Sequence, residues 1–196
     1  MAPKGKIVKI KGRLYYQTEV AKNVLSLPLF QINPGLSIAL FNILGETSLV
    51  VQVARALAKK IPSPVEVIVT PEVKSVCLAY ELSKCLKVPY VVLRKTFKPY
   101  MEGSIRVEVT TITTGKPQQL YLDGKDLKLI KDKRVLVVDD VISTGASLKG
   151  MRELIKKAKG KIICEAAVFT EGEEGSWPGI ISLGHLPLFK TNGKTS

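Results

Sequence analysis

The 196-residue chain predicts an α/β fold: an open, mainly parallel sheet with helices on both faces, a small N-terminal lobe and a flexible lid. Three observations lead there. Apolar segments of strand length alternate with amphipathic segments of helical length through most of the chain, the order that builds parallel sheets through helical crossovers. The run Arg134–Val138 is valine and leucine with no alternation to a polar face, as an inner parallel strand requires. That strand ends in Asp139 and Asp140 and runs directly into the small hydroxylated stretch Ser143–Ser147. Acids and turn therefore emerge at the C-terminal edge, where open α/β sheets hold their ligands.

Each element follows from local pattern. Residues 6–16 read as a hairpin around Lys11-Gly12, and Val24–Ile32 as an extended segment that Pro28 confines to an edge or a loop; both are expected outside the main sheet, in a lobe of residues 1–45. Glu46–Ile61 carries Leu49, Val50, Val53 and Leu57 at helical spacing and stops before Pro62, which gives the first helix. Val65–Val69 follows as a strand, Lys74–Leu86 as a helix and Tyr90–Leu93 as a strand. From Arg94 to Pro117 the rhythm breaks into Lys-, Thr- and Gly-rich sequence, "RKTFKPYMEGS" and "TTITTGKPQ", an excursion from the sheet. Gln119–Leu122 is strand-like, a helical turn follows Asp123, and after the acid-bearing strand come a helix from about Thr144 to Lys159 and a strand Lys161–Thr170. Lys190–Ser196 reads as a frayed tail. With no internal repeat or low-complexity linker, the length suits one domain over residues 1–196.

Composition narrows the function. Hydrophobic residues make up 45% of the chain, ample for a core, yet no apolar run approaches the roughly 18 to 20 residues of a membrane span. The start, "MAPKGKIVKIKGRLYY", lacks the apolar region of a secretory signal, so a cytoplasmic protein without a membrane partner is expected. Cys77, Cys85 and Cys164 form neither a Cys-x-x-Cys pair nor a cluster with His185, the single histidine, so no direct protein site for a metal is expected. The cysteines read as small core hydrophobes, and His185 has no partner visible in the sequence. The net charge of +13 favours an anionic partner, either a phosphorylated metabolite or a nucleic acid. Many of the lysines fall at helix ends and on polar faces, where solvated surface accounts for them better than a binding stripe does.

The acid-bearing strand is chemically specific. "STGAS" running into a helix start gathers backbone N–H groups and the hydroxyls of Ser143, Thr144 and Ser147 around one point, which suits a phosphate. The Gly-Lys-Ser/Thr of a Walker A loop is missing and the acids precede the turn. Carboxylates beside a phosphate repel it unless they face another group, and a ribose diol, whose hydroxyls donate to carboxylate oxygens, is such a group.

With these residues in view, "VLVVDDVISTGAS" resembles the phosphoribosyl-pyrophosphate (PRPP) motif of type I phosphoribosyltransferases. "VTPEVKSVCLAYELSKCLKVPYVVLRK" is similar to the second strand, pyrophosphate loop, helix and third strand of the adenine phosphoribosyltransferase-like branch, and the pattern from "LPLFQINP" to the C-terminal "LPLF" extends the likeness along the chain. Two positions depart from the family: Ala146, where a second glycine is common, and "EVKS" at 72–75, where adenine enzymes read Glu-Ala-Arg-Gly.

The resemblance implies transfer of ribose 5-phosphate from PRPP to a purine, adenine favoured, giving a nucleoside 5′-monophosphate and pyrophosphate. Mg²⁺ is chelated by PRPP, and a homodimer is the common assembly. It implies that Asp139 and Asp140 hold the ribose hydroxyls and that Val141, Ile142, Ser143, Thr144, Gly145, Ala146 and Ser147 complete the PRPP site. The backbone of Glu72, Val73, Lys74 and Ser75, with the Lys74 side chain, is to hold the pyrophosphate, with Arg94, Lys95 and Lys98 as further cations. Leu29 and Phe30 are to meet the base, although "PLFQI" reads equally as a hydrophobic plug. A lid over residues 100–117 is to carry Glu108 as a general acid near the base, or else Glu108 faces outward on a ribbon edge. PRPP motifs also occur in regulators that bind DNA or RNA, and the charge of +13 fits that reading too. About 45 residues precede the first helix, little room for a helix-turn-helix.

Overall fold

An antiparallel meander begins the chain. The computed structural model describes residues 5–62, 64–110 and 117–190. In it, β1 (Lys6–Ile10) and β2 (Arg13–Val20) form the expected hairpin, with Lys11 and Gly12 at φ 47° and 83°, a turn backbone whose twist matches that of paired strands. A second turn of this kind, Ala21-Lys22, leads into β3 (Asn23–Asn33) without any glycine. The Asn23 side-chain amide donates to the carbonyls of Val20 and Ala21, at 3.3 and 2.9 Å, and holds it closed.

The expectation that Pro28 confines this segment to an edge or a loop is corrected. Residues 23–28 of β3 pair with β2 and residues 29–33 with β4 (Leu36–Ala39), so β3 lies inside the sheet. Pro28 stands where the strand changes partner, the place where a missing N–H interrupts the ladder least.

The α/β part follows the predicted order: α1 (Thr47–Ala58), β5 (Val67–Pro71), α2 (Val76–Leu86), β6 (Tyr90–Leu93), a ribbon of β7 (Ile105–Thr110) and β8 (Pro117–Leu122), a short α3 (Leu127–Ile130), β9 (Arg134–Ile142), α4 (Ala146–Lys157) and β10 (Lys161–Glu171). Two strands that sequence reading missed complete it. β11 (Ile180–Leu186) extends the parallel sheet to the order β11-β10-β9-β5-β6, and β12 (Phe189–Lys190) returns to pair with β4. Lys190, expected in the tail, closes that pairing; residues 191–196 lie outside the described residues.

The unbroken apolar run of β9 has its reason in the two cores. Leu136 and Val138 face α1 and α2, with Ile68, Ala166 and Val168, whereas Val135 and Val137 face α4, with Val67, Val69 and Ala167. Neither face meets water, so neither selects polar residues. On α2 the buried stripe is Leu78, Ala79 and Leu82; Cys85, expected as a core residue, falls outside it and is exposed.

The excursion leaves the parallel sheet, and its base is anchored. Val107, Val109, Leu120 and Leu122 of the ribbon are buried against α4. Gly150 permits this approach: a Cβ there would lie 2.4 Å from Val109 Cγ2 and 2.8 Å from Leu120 Cδ1. β7 starts beside the C-terminal end of α4, where Lys157 Nζ donates to the Arg106 carbonyl at 3.2 Å, and runs toward the helix N-terminus. Residues 111–116 of the expected lid lie outside the described residues. Among the described residues no helix is long and apolar enough to cross a membrane.

Candidate functional site

β9 delivers Asp139 and Asp140 at its C-terminal end, and because β10 and β5 flank it both acids stay covered, at 9% and 8% exposure. The Asp140 N–H donates to Asp139 Oδ1 at 2.8 Å, while Asp140 Oδ2 is buried with no hydrogen-bond partner among the described residues. Burial, and next the negative neighbour Asp140, push the Asp139 pKa up to about 8, against the opposing hydrogen bond from the Asp140 N–H. The adjacent buried carboxyls thus hold a proton to higher pH than free carboxyls do. A buried acceptor without a donor is costly, and a ligand hydroxyl is the kind of group that would satisfy Asp140.

The turn that follows is shaped for an anion. Gly145 takes φ +74° and caps α4; a Cβ here would also lie 2.8 Å from the ring of Trp177, so both backbone and space demand glycine. Ala146, where the family commonly has glycine, is the first residue of α4 and packs partly against the second core, so it needs no unusual backbone. Thr144 Oγ1 accepts from the Ala146 N–H at 3.4 Å, and the free N–H groups of the first turn of α4 point into the loop. Asp139 and Val141 through Leu148 line a cavity of about 90 Å³.

Across the sheet, the loop from β5 to α2 contains Glu72–Ser75 and a cis peptide between Glu72 and Val73. Val73 is exposed, and Lys74 Nζ donates to the Phe41 carbonyl at 3.5 Å. Ser75 is buried, donating to Pro71 O at 3.1 Å and accepting from Thr70 Oγ1 at 2.8 Å, and it also reaches Asp139. The two loops therefore meet at Ser75. The Glu72 side chain braces the loop: its Oε1 accepts from the Lys95 N–H at 2.8 Å and its Oε2 lies 2.6 Å from Arg94 Nε, so it ties this loop to the end of β6. Lys95 is exposed and Lys98 half-buried on the same rim.

Other expected residues stand apart. Glu108 pairs with Gln119 across the ribbon and is exposed, on the face opposite Val107 and Val109. Leu29 packs against the first core, but Phe30, opposite Ile38, is 52% exposed on the other face of the lobe.

Three residues here were not anticipated. Glu171 ends β10 at 6% exposure and accepts at Oε1 from Ser143 Oγ at 2.5 Å. Trp177 covers Gly145 and donates from Nε1 to the Glu171 carbonyl at 2.9 Å. His185 bridges Thr170 Oγ1 and Gly172 O, each at 3.0 Å, which places its proton on Nε2, and with Tyr16, Thr18 and Phe189 it lines a cavity of about 410 Å³ between lobe and sheet. A signal for Glu171 was available: it sits at the C-terminal edge of a predicted strand, as the acid pair does.

Comparison with known proteins gives consistent results. A family model described as "Phosphoribosyl transferase domain" matches residues 42–176. A hypoxanthine/guanine phosphoribosyltransferase of Methanococcus voltae is 33% identical over 122 residues, 62% of this chain and 61% of that protein. The chain thus spans about three fifths of the length of such curated relatives. The purine biosynthesis transcriptional activator PurR of Lactococcus lactis is 27% identical over 72% of this chain and 52% of its own length. An adenine phosphoribosyltransferase of Giardia lamblia, solved with 9-deazaadenine, superposes with a TM-score of 0.60 at 16% identity, covering 92% of this chain and 93% of that one. At that identity the likeness concerns the fold.

Proposed function

The chain belongs to the phosphoribosyl transferase domain family, and from that premise we propose that it is a purine phosphoribosyltransferase: it transfers ribose 5-phosphate from PRPP to a ring nitrogen of a purine, releasing pyrophosphate. The observation that carries this reading is the buried acid pair, with its unpartnered Asp140 Oδ2, set directly against the phosphate-shaped turn Ser143–Ser147. Departure of pyrophosphate leaves an electron-poor ribose centre, so the protein's work is to position the ring, neutralise the leaving group and exclude water. Asp139 and Asp140 accept from the ribose hydroxyls, and the first turn of α4 holds the 5-phosphate. Lys74 and the Ser75 loop meet the pyrophosphate, with Arg94, Lys95 and Lys98 along its rim.

Mg²⁺ enters as part of the substrate. Among the described residues no three His, Cys, Asp or Glu side chains converge, and Mg²⁺ held mainly by water and PRPP oxygens suits such a site. The sequence resemblance favours adenine. The Methanococcus voltae relative, 33% identical over 61% of its length, is named for hypoxanthine and guanine, and identity at that level supports a substrate better than fold likeness at 16%. A 6-oxopurine is therefore the base we propose, and a cytoplasmic homodimer the form in which it acts.

The likeness to a transcriptional activator and the charge of +13 support a second reading, a PRPP-sensing regulator. One experiment separates the two: pyrophosphate release from Mg²⁺-PRPP with hypoxanthine, guanine, adenine and xanthine in turn, beside PRPP binding by calorimetry and a mobility-shift titration at physiological salt. Turnover with one base, and nucleic-acid binding no tighter than about 10⁻⁶ M, supports the enzyme. Tight PRPP binding without turnover, joined to nanomolar binding of one defined DNA or RNA, supports the regulator.

A further inference from the structure

We propose that Glu171 is the proton acceptor for the incoming base and acts through the hydroxyl of Ser143; this rests on the transferase reading above. The reaction forms a bond between a ring nitrogen and C1 of the ribose and breaks the bond from C1 to pyrophosphate, which leaves with the electron pair. The attacking nitrogen enters carrying a hydrogen and must shed it. Some group of the site takes that proton.

Sheet order says where the group should be. The pyrophosphate loop ends β5 and Arg94 follows β6, both on one side of β9, whose acids hold the ribose. In-line displacement at C1 puts the incoming nitrogen opposite the leaving group. If pyrophosphate departs over β5 and β6, the base arrives over β10, and β10 ends at Glu171.

The local geometry fits a two-step transfer. Glu171 is 6% exposed and has no direct route to a substrate, but its Oε1 already accepts from Ser143 Oγ at 2.5 Å. Ser143 is half-buried and lines the turn cavity. As Ser143 Oγ takes the proton from the nitrogen, its own hydrogen passes to Glu171 Oε1; the hydroxyl is restored and the carboxylate becomes a carboxylic acid. The acceptor is held in place, since the Glu171 carbonyl receives the Trp177 indole N–H at 2.9 Å.

The surroundings tune the acid. Burial raises the Glu171 pKa, while the Ser143 hydrogen bond, His185 and Lys74 oppose it, with a net shift upward. A carboxylate with a raised pKa is a better proton acceptor near neutral pH than an exposed one. The alternatives are weaker: Asp139 is already engaged by the Asp140 N–H and given to the ribose, with burial favouring its protonated form, and Glu108 is exposed on the outer face of the ribbon.

The test is a set of pH–rate profiles, pH 5 to 9, for wild type, Glu171→Gln, Glu171→Asp, Ser143→Ala and the Gln/Ala double variant, with Mg²⁺-PRPP affinity measured by calorimetry. Glu171→Gln should lower kcat by about 10²-fold or more and remove the acidic limb of the profile, with PRPP affinity within about threefold of wild type. Ser143→Ala should lose as much, the double variant no more than either, and Glu171→Asp should retain the limb. A Glu171→Gln enzyme that keeps the wild-type acidic limb, losses that add in the double variant, or an effect confined to PRPP affinity would overturn the relay. A wild type that turns over no purine would overturn the transferase reading itself, before any variant is compared.

Discussion

Replacing Asp139 by asparagine should stabilise the fold at neutral and alkaline pH while it removes activity. The carboxyl titrates near pH 3.8 when unfolded and is pushed up to about 8 in the fold, by burial first and Asp140 second. Between those values the folded state binds the extra proton, so stability falls as pH rises through the window. Each pKa unit is worth about 1.4 kcal/mol, so the penalty builds from near zero below pH 4 to roughly 4 kcal/mol at pH 7, and grows little beyond pH 8. That is a large share of the ~5–15 kcal/mol that holds a domain together. Asparagine keeps the shape and the acceptor for the Asp140 N–H and does not titrate. Urea unfolding of both proteins at pH 4.5, 6, 7 and 8.5 reads the titration of Asp139 together with that of its negative neighbour Asp140, because groups remote from the pair titrate alike in the two proteins. The difference should favour the variant increasingly from pH 4.5 to 8.5. Parallel pH profiles, or a variant less stable than wild type at pH 8.5, would refute the reasoning.

Further outcomes follow from other contacts. Asp140→Asn should cut transfer by at least tenfold without lowering the melting temperature, because a carboxylate accepts two diol hydrogens and an amide oxygen receives fewer, while loss of the charge relieves its repulsion with Asp139; steady-state kinetics and thermal unfolding check both halves. Gly150→Ala should destabilise by about 1–3 kcal/mol despite the better helix propensity of alanine, since the methyl meets Val109 and Leu120; a raised melting temperature would show that the ribbon is not docked on α4. Gly145→Ala should weaken PRPP binding through both positive φ and the Trp177 ring, and adding Trp177→Ala should recover only the steric part, as calorimetry will report. Glu108→Gln tests the lid acid: a fall in kcat with unchanged PRPP affinity supports the role, and wild-type kcat marks the residue as surface.

How far the sequence reached can be judged residue by residue. β9 was legible because both its faces are dry, and α1 and α2 because one stripe of each is buried. The acid pair and phosphate turn were legible because they are contiguous, so chemistry and spacing sat in one window. β11 was not, since all its residues but Leu186 are only half-buried and Gly184 and His185 interrupt its apolar run. Gly184 is required there by the ring of Phe169, 2.7 Å from where its Cβ would be, a tertiary reason that leaves no local pattern. Glu171 escaped for a related cause: its partner Ser143 lies on another strand's turn, and single-window reading does not pair such residues.

The pairing of β12 with β4 joins Phe189 to Ser37 and Lys190 to Leu36. A contact that closes so long a loop forms late, because its entropy is spent before any reward arrives. During vectorial synthesis the lobe therefore waits, one edge unzipped, until Phe189 and Lys190 have left the ribosome. Exposed strand edges invite pairing with other chains, and the open edge here, Leu36–Ala39, carries no charge of its own to oppose it.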